Sequence, residues 1–199
     1  MDTTQVSVCK LKAKYEMEKF IFIDRDGVIN RDPAWEGKDY VIRWADFQFL
    51  PGALKALKYL TDKGYKIAII SNQAGVGKGV YTKEKLDEIT EKMLNEIESK
   101  GGKIYSVQYC LHTSDDNCEC RKPKAGLFKT TTEGFKIDFS KTYFIGDTKR
   151  DIEAGKKIGC KTILVLSGKV RDASTVAGWT VKPDFVKKDL SEAARDIIK

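Results

Sequence analysis

No stretch of this sequence approaches the ~18 uninterrupted apolar residues that a membrane-spanning helix needs. The first sixteen residues lack the apolar core of a secretory signal and carry Lys10, Lys12 and Lys14 instead. Membrane insertion and export through such a leader are therefore not expected. Cysteine is too sparse for a disulfide scaffold, with five in 199 residues, and Cys110, Cys118 and Cys120 crowd into one segment. That usage points to the cytoplasm, and the crowding to a metal. Histidine is scarcer still, and the single one, His112, falls inside the cysteine cluster. Internal repeats and low-complexity tracts are also missing, which excludes solenoids and biased, unfolded segments.

A hydrophobic share of 41% and a charged share of 33% suit a globular chain, and this length fits one domain. Residues 1–17 are expected to form a tail, with Met17 an alternative start directly before the first strand, and 18–199 a single domain. The formal charge of +7 favours anionic partners. Composition leaves open a small phosphate ester, nucleic acid, an acidic surface or simply a basic solubilising exterior.

The chain from Lys19 to Asp24 contains Phe-Ile-Phe-Ile, a continuous apolar run expected of a strand buried on both faces of a parallel sheet. Pro51-Gly52 opens a helix with Leu54, Leu57 and Leu60 on one side, ending at Gly64. A strand over 66–70, a loop over 71–79, a helix from about Thr82 to Lys100 and a strand over 104–109 follow. Further helices are expected over about 124–134 and 148–158, strands over 142–145 and 161–165, then a short strand near Phe185 and a terminal helix. This alternation predicts an α/β fold, a Rossmann-like open and mainly parallel sheet with helices on both faces. Ligands of such sheets bind beyond the carboxyl ends of the strands, which gathers Asp24, Ser71, Cys110 and Asp147 along one edge.

Asp24 and Asp26 stand two residues apart at a strand end, before a glycine that lets the backbone turn. One acid can attack while the other manages a proton. A carboxylate nucleophile suits phosphoryl transfer, because it is ionised at neutral pH and its acyl phosphate is readily hydrolysed. Magnesium held by Asp24 and Asp147, with a lysine, would offset the repulsion between anions. Alone, the Asp-x-Asp pair is equally a turn or a surface calcium-like site.

Four stations together are more specific. Asp24-Arg-Asp-Gly-Val-Ile, then Ser71-Asn-Gln, then Lys122, then Gly146-Asp147 with Asp151, resemble the haloacid dehalogenase-like phosphatases in kind and order. The resemblance implies Asp24 as nucleophile and metal ligand. Asp26 would be the acid and base, and a metal ligand through its backbone carbonyl. Ser71, Asn72 and Lys122 would bind the phosphoryl group, and Asp147 would complete the magnesium site. Asp151 would orient Lys122 or a metal-bound water, unless it merely caps a helix.

Phe49-Leu-Pro-Gly-Ala53, Ser71-Asn-Gln-Ala-Gly-Val-Gly-Lys-Gly79 and Cys118-Glu-Cys-Arg-Lys-Pro-Lys124 narrow the likeness. Over residues 19 to 167 the chain is similar to the D-glycero-D-manno-heptose 1,7-bisphosphate phosphatases and the related histidinol-phosphate phosphatases. Cys110, His112, Cys118 and Cys120 make the donor set of a closed structural zinc site. Without a metal they are a few buried thiols and a surface histidine. The segment Thr113 to Asn117 between the two ligand pairs is short and lacks the prolines often seen in this family's loop. Zinc there would pin the loop before Arg121 and Lys122, with Arg121 meeting a second anionic or hydroxyl group.

Gln73 and Arg25 are expected to line the pocket, Arg25 alternatively facing solvent. The glycines after Gln73 lack Walker spacing, since Gly79 follows Lys78. The gaps leave no room for a large cap domain, so Trp35, Tyr40 and Trp44 would cover the entrance or pack on the core. The resemblance implies a magnesium- and zinc-binding phosphatase acting on a small phosphorylated sugar; a cytoplasmic monomer is expected. A polynucleotide 3'-phosphatase fits less well, because no basic-aromatic strand-binding stretch is present. A non-catalytic zinc-bearing binding module is the rival from another class.

Overall fold

Every side chain of Phe20–Ile23 (β1) is buried, which requires cover on both faces of the strand. The computed structural model describes residues 17–197, so the expected tail, Met17 apart, lies outside the described residues. β1 sits inside a six-stranded sheet with β2 (Lys66–Asn72), β3 (Ile104–Cys110), β4 (Tyr143–Gly146), β5 (Lys161–Val165) and β6 (Phe185–Lys187). The order is β3-β2-β1-β4-β5-β6 and every neighbouring pair is parallel. The chain winds outward from β1 through β2 to β3, then crosses back to β4 on β1's other side. The switch point of the sheet therefore lies between β1 and β4.

The helices are α1 (Ala53–Asp62), α2 (Ala74–Gly77), α3 (Lys83–Ser99), α4 (Gly126–Thr132), α5 (Lys149–Lys157) and α6 (Leu190–Ile197). In α1 the buried residues are Ala53, Ala56, Leu57 and Leu60, one stripe at helical spacing. Helix α3 starts where the Thr82 hydroxyl accepts from Lys85 N at 3.4 Å, and it buries Leu86, Ile89, Met93 and Ile97. Because strand side chains alternate, Ile21 and Ile23 pack with α1, α3 and α6, while Phe20 and Phe22 pack with α4 and the Ala154 face of α5. Each such buried side chain contributes about 1.5–3 kcal/mol relative to exposure. No helix among the described residues is long and apolar enough to cross a membrane.

Two details depart from the expected elements. The helix expected over 124–134 is Gly126–Thr132, because Lys124 is engaged in the preceding loop, its ammonium reaching Asn117 Oδ1 at 2.8 Å and Glu119 at 3.0 Å. The stretch 71–79 is not all loop: β2 runs on to Asn72, and the short α2 follows. Between β1 and α1 lie only two 3-10 turns, Pro33–Glu36 and Trp44–Asp46, so no cap domain covers the strand ends among the described residues. Trp44 stacks on Phe47 at 5.1 Å between centroids and packs against the core; Tyr40 lines the cavity, and Trp35 Nε1 donates to Gly168 O at 3.3 Å.

Candidate active site

Asp24 N still donates to Ile145 O at 2.9 Å, so its backbone belongs to the β1–β4 ladder while its side chain leaves the sheet's end. The chain then turns sharply, with the Arg25 carbonyl accepting from the amides of Val28, Ile29 and Asn30. Gly27 takes φ 79°, and a Cβ there would collide with the Asp147 carboxylate and Gly168. Only glycine lets this turn close onto the loop after β4.

At that edge Lys122 forms a tripod. Its ammonium pairs with Asp24 Oδ2 at 2.8 Å and Asp151 Oδ1 at 2.7 Å and donates to Ile70 O at 2.8 Å. Burial alone would lower the lysine's pKa, but Asp151 and Asp24 outweigh it and hold the ammonium charged. Asp151 takes both roles open to it: its other oxygen accepts from Thr148 N at 2.9 Å and Thr148 Oγ1 at 2.6 Å, capping α5.

The charges at this edge do not balance. Asp24, Asp147 and Asp151 are buried, with ligand atoms within 4.8 Å of one another, against one ammonium. Burial pushes Asp24 up to about 6, opposed by Lys122 and reinforced by Asp151. Asp147 rises well above the usual carboxylate range through burial and repulsion from Asp151 and Asp24. Surplus negative charge on hard oxygens fits a divalent cation such as magnesium.

Asp26 is held differently. Its Oδ1 accepts from Arg25 Nε at 3.2 Å, Arg25 Nη2 at 3.0 Å and Asn30 Nδ2 at 2.8 Å; its Oδ2 accepts from Arg25 Nη2 at 2.9 Å and Gln73 Nε2 at 2.7 Å. Burial works against the anion, yet Arg25 and these donors hold the carboxyl below its ordinary value.

Arg25 corrects an expectation. It neither lines the cavity nor faces solvent, being fully buried, because the tight turn sends its side chain inward against Asp26 and the Tyr109 ring, 5.7 Å away. Asn72 reaches the cavity, but its side-chain amide is engaged with the Lys122 backbone, accepting from N at 3.1 Å and donating to O at 3.2 Å. Ser71 lines the cavity and its hydroxyl accepts from Gln73 Nε2 at 3.2 Å.

Asp24, Asp26, Ser71, Asn72, Gln73, Arg121, Lys122, Asp147 and Asp151 line one cavity of about 590 Å³. Lys78, Lys149, Arg150 and Lys169 add cations to the same lining, and buried Asp32 adds a further acid. Sequence reasoning missed these. For Asp32 a signal existed: Asp-Pro reads as an N-cap before a first-turn proline, and Asp32 Oδ1 indeed accepts from Ala34 N at 2.8 Å.

Beside the cavity, Cys110, His112, Cys118 and Cys120 converge. Their sulfurs are 3.2, 3.3 and 3.6 Å apart, and His112 Nδ1 lies 3.2 Å from Cys120 and 3.8 Å from Cys110. A tetrahedral zinc with Zn–S near 2.3 Å implies edges of about 3.8 Å, so four donors of the right kind stand close to the spacing zinc needs. Arg121 Nη1 donates to His112 O at 3.1 Å, joining this cluster to the cavity wall.

The family described as HAD-hydrolase-like, the haloacid dehalogenase-like hydrolases, matches residues 119–193. A D-glycero-beta-D-manno-heptose-1,7-bisphosphate 7-phosphatase of Neisseria meningitidis is 39% identical over 153 residues, covering 76% of this chain and 79% of the relative. The D-glycero-alpha-D-manno-heptose-1,7-bisphosphate 7-phosphatase of Campylobacter jejuni is 34% identical over 149 residues, 75% and 83% of the two chains. Among solved structures, the D,D-heptose 1,7-bisphosphate phosphatase of B. bronchiseptica, complexed with magnesium and phosphate, superposes with a TM-score of 0.80 at 30% identity, over 88% of this chain and 96% of that one. The chain belongs to the haloacid dehalogenase-like phosphatases, within the family of the heptose 1,7-bisphosphate phosphatases, and is a phosphoric monoester hydrolase.

Proposed function

We propose that this phosphatase removes the 7-phosphate of D-glycero-D-manno-heptose 1,7-bisphosphate through an aspartyl phosphate on Asp24. The observation that carries the reading is the buried trio Asp24, Asp147 and Asp151 around one lysine, at the floor of a cavity rimmed by Lys78, Arg121, Lys149, Arg150 and Lys169. One phosphate needs only the floor; further cations on the walls suit a substrate with a second anionic group.

Asp24 and Asp147, with the backbone carbonyl of Asp26, would hold magnesium. When bound, that ion supplies the charge neutralisation that lets an anionic carboxylate approach an anionic phosphoryl group. Lys122 draws phosphoryl oxygens toward Asp24, and the Ser71 hydroxyl donates to one of them. Beside the phosphoryl anion the protonated form of Asp26 is favoured; as the bond from Asp24 to phosphorus forms and the bond from phosphorus to the sugar oxygen breaks, the proton that Asp26 takes up in the substrate complex passes to that oxygen and the alcohol leaves. The Asp26 carboxylate then takes a proton from the water that attacks the acyl phosphate, releasing phosphate and restoring Asp24.

Cys110, His112, Cys118 and Cys120 would hold a structural zinc, fixing the loop that carries Arg121 and Lys122. With four free cysteines among the described residues, three of them in this donor set, the reducing cytoplasm suits the chain; we take it to act there as a monomer. Phosphate release should be measured with both anomers of the heptose bisphosphate, histidinol phosphate and a 3'-phosphorylated oligonucleotide. Preferred release from C7 of the heptose is expected, and Asp24→Asn should abolish it. Faster turnover of another ester would overturn the substrate; undiminished turnover by the variant would overturn the mechanism.

A further inference from the structure

Tyr81 and Arg25 stand outside the cavity lining, yet both act on the same amide inside it. Gln73 Oε1 accepts from Tyr81 Oη at 2.8 Å and from Arg25 Nη2 at 3.1 Å, while Gln73 Nε2 donates to Asp26 Oδ2 at 2.7 Å and Ser71 Oγ at 3.2 Å. A guanidinium has donors only, so the amide cannot flip without setting its NH2 against Arg25. Tyr81 adds a second donor on the same oxygen. Burial pushes its phenol up to about 12, which keeps that donor protonated at any working pH.

The tyrosine is itself wedged. Its ring abuts Gly75, where a Cβ would strike Cε1, and lies 5.9 Å from the Tyr40 ring. The glycine-rich stretch after Gln73, which lacks Walker spacing, thus has a use: it admits Tyr81 against the back of the site. On stability grounds the arrangement is poor. Arg25 Nη1 is buried without a partner, which costs the desolvation of that donor, and a well-packed apolar side chain in place of such a buried ion is often no worse.

We infer that Arg25, Gln73 and Tyr81 are positioning residues that clamp the Asp26 carboxylate from behind and fix its orientation at the wall of the phosphoryl cavity. All five internal contacts to that carboxylate come from donors, three on Oδ1 and two on Oδ2. Its side chain keeps 22% exposure, and Asp26 is part of the cavity lining. The clamp therefore fixes where the carboxyl group stands when it meets the leaving oxygen. The inference rests on the assignment of Asp26 as general acid.

Leaving-group dependence separates this role from a merely structural one. An alkyl phosphate needs its leaving oxygen protonated, whereas 4-nitrophenyl phosphate expels a stable phenolate unaided. kcat/KM, which reports steps up to phosphoryl transfer, should be measured for the heptose 1,7-bisphosphate, glycerol 3-phosphate and 4-nitrophenyl phosphate with wild type, Tyr81→Phe and Asp26→Asn. Tyr81→Phe removes one hydroxyl and is expected to lower the alkyl values about tenfold, a fraction of the 10²–10⁴ that a general acid supplies, with the aryl value within twofold. Equal losses on both ester types, or none, in Tyr81→Phe beside a selective loss in Asp26→Asn overturn the clamp alone. No selectivity in Asp26→Asn overturns the acid assignment and the clamp with it.

Discussion

At the scale of single residues, the site is a set of charges that the fold brings together at a cost. Asp147 shows this most directly. Its native carboxyl binds a proton more tightly than an unfolded aspartate does, through burial and repulsion from Asp151 and Asp24. With a raised native pKa, stability from this group is fullest below the ordinary value of about 3.9, and it falls as pH rises toward the native value. At neutral pH the bare anion is a net cost. Asp147→Asn keeps an oxygen for the Lys169 amide, which now donates to Oδ2 at 2.7 Å, and removes the repulsion. In chelator the variant should melt a few degrees above wild type, about 2–4 °C for each kcal/mol in a chain of this size. Magnesium should raise the wild-type midpoint and leave the variant's unchanged, and the variant's phosphatase activity should be lost. A variant that melts lower than wild type in chelator would show that the carboxylate cluster is not strained. The same scale explains what could and could not be read from sequence. Asp24 and Asp147 were legible because they end strands, and strand ends of a parallel sheet share one edge. Arg25 was not, because its direction depends on the left-handed turn at Gly27 and on Asp26 beside it, neither of which periodicity reports.

At the scale of elements, strands buried on both faces announce themselves and short, exposed ones do not. β1 and β5 are apolar runs whose position in the sheet follows from composition. β6 is three residues long and partly exposed, and it is held in place by a side-chain clasp. Asp184 accepts from Thr162 N at 2.6 Å and Thr162 Oγ1 at 3.0 Å and pairs with Lys156, while its own amide donates to Thr162 O at 3.0 Å. Burial works against the Asp184 anion, but the Lys156 ammonium and the Thr162 donors outweigh it and lower its pKa. A depressed native pKa gives stability that is present above the unfolded value near ~3.9 and lost as pH falls through the native one. Asp184→Ala should therefore destabilise the protein at pH 7 by about 1–2 kcal/mol, the Thr162 bonds dominating because the Lys156 pair is partly solvent-screened. Denaturant unfolding should show that gap closing below about pH 4; a gap independent of pH would mean the carboxylate charge is immaterial.

At the scale of the whole molecule, two halves of the sheet meet over one cavity, and their joint is the segment from Cys110 to Lys122. It leaves β3, passes the Cys/His cluster and returns to hand Lys122 to β1 and α5, with the Asn72 amide gripping the Lys122 backbone on the way. None of that was legible as geometry, since it joins residues fifty apart, although the donor set itself was plain. The short stretch Thr113 to Asn117 closes on itself, the Asp116 carboxylate accepting from Thr113 N at 2.7 Å and Oγ1 at 2.8 Å, so it has no need of prolines to shape it. If zinc holds the four donors, its removal should act at a distance in a definite pattern. The sheet does not depend on it, so the protein stays folded, with its melting temperature lowered by several degrees. The loop loosens around Arg121 and Lys122, so KM for the bisphosphate rises more than KM for 4-nitrophenyl phosphate, which offers Arg121 no second anion. Cys118→Ser should reproduce both effects while lowering the zinc content of the purified protein from one equivalent. Protein isolated without zinc, yet with undiminished affinity for the bisphosphate, would reduce the cluster to four free side chains.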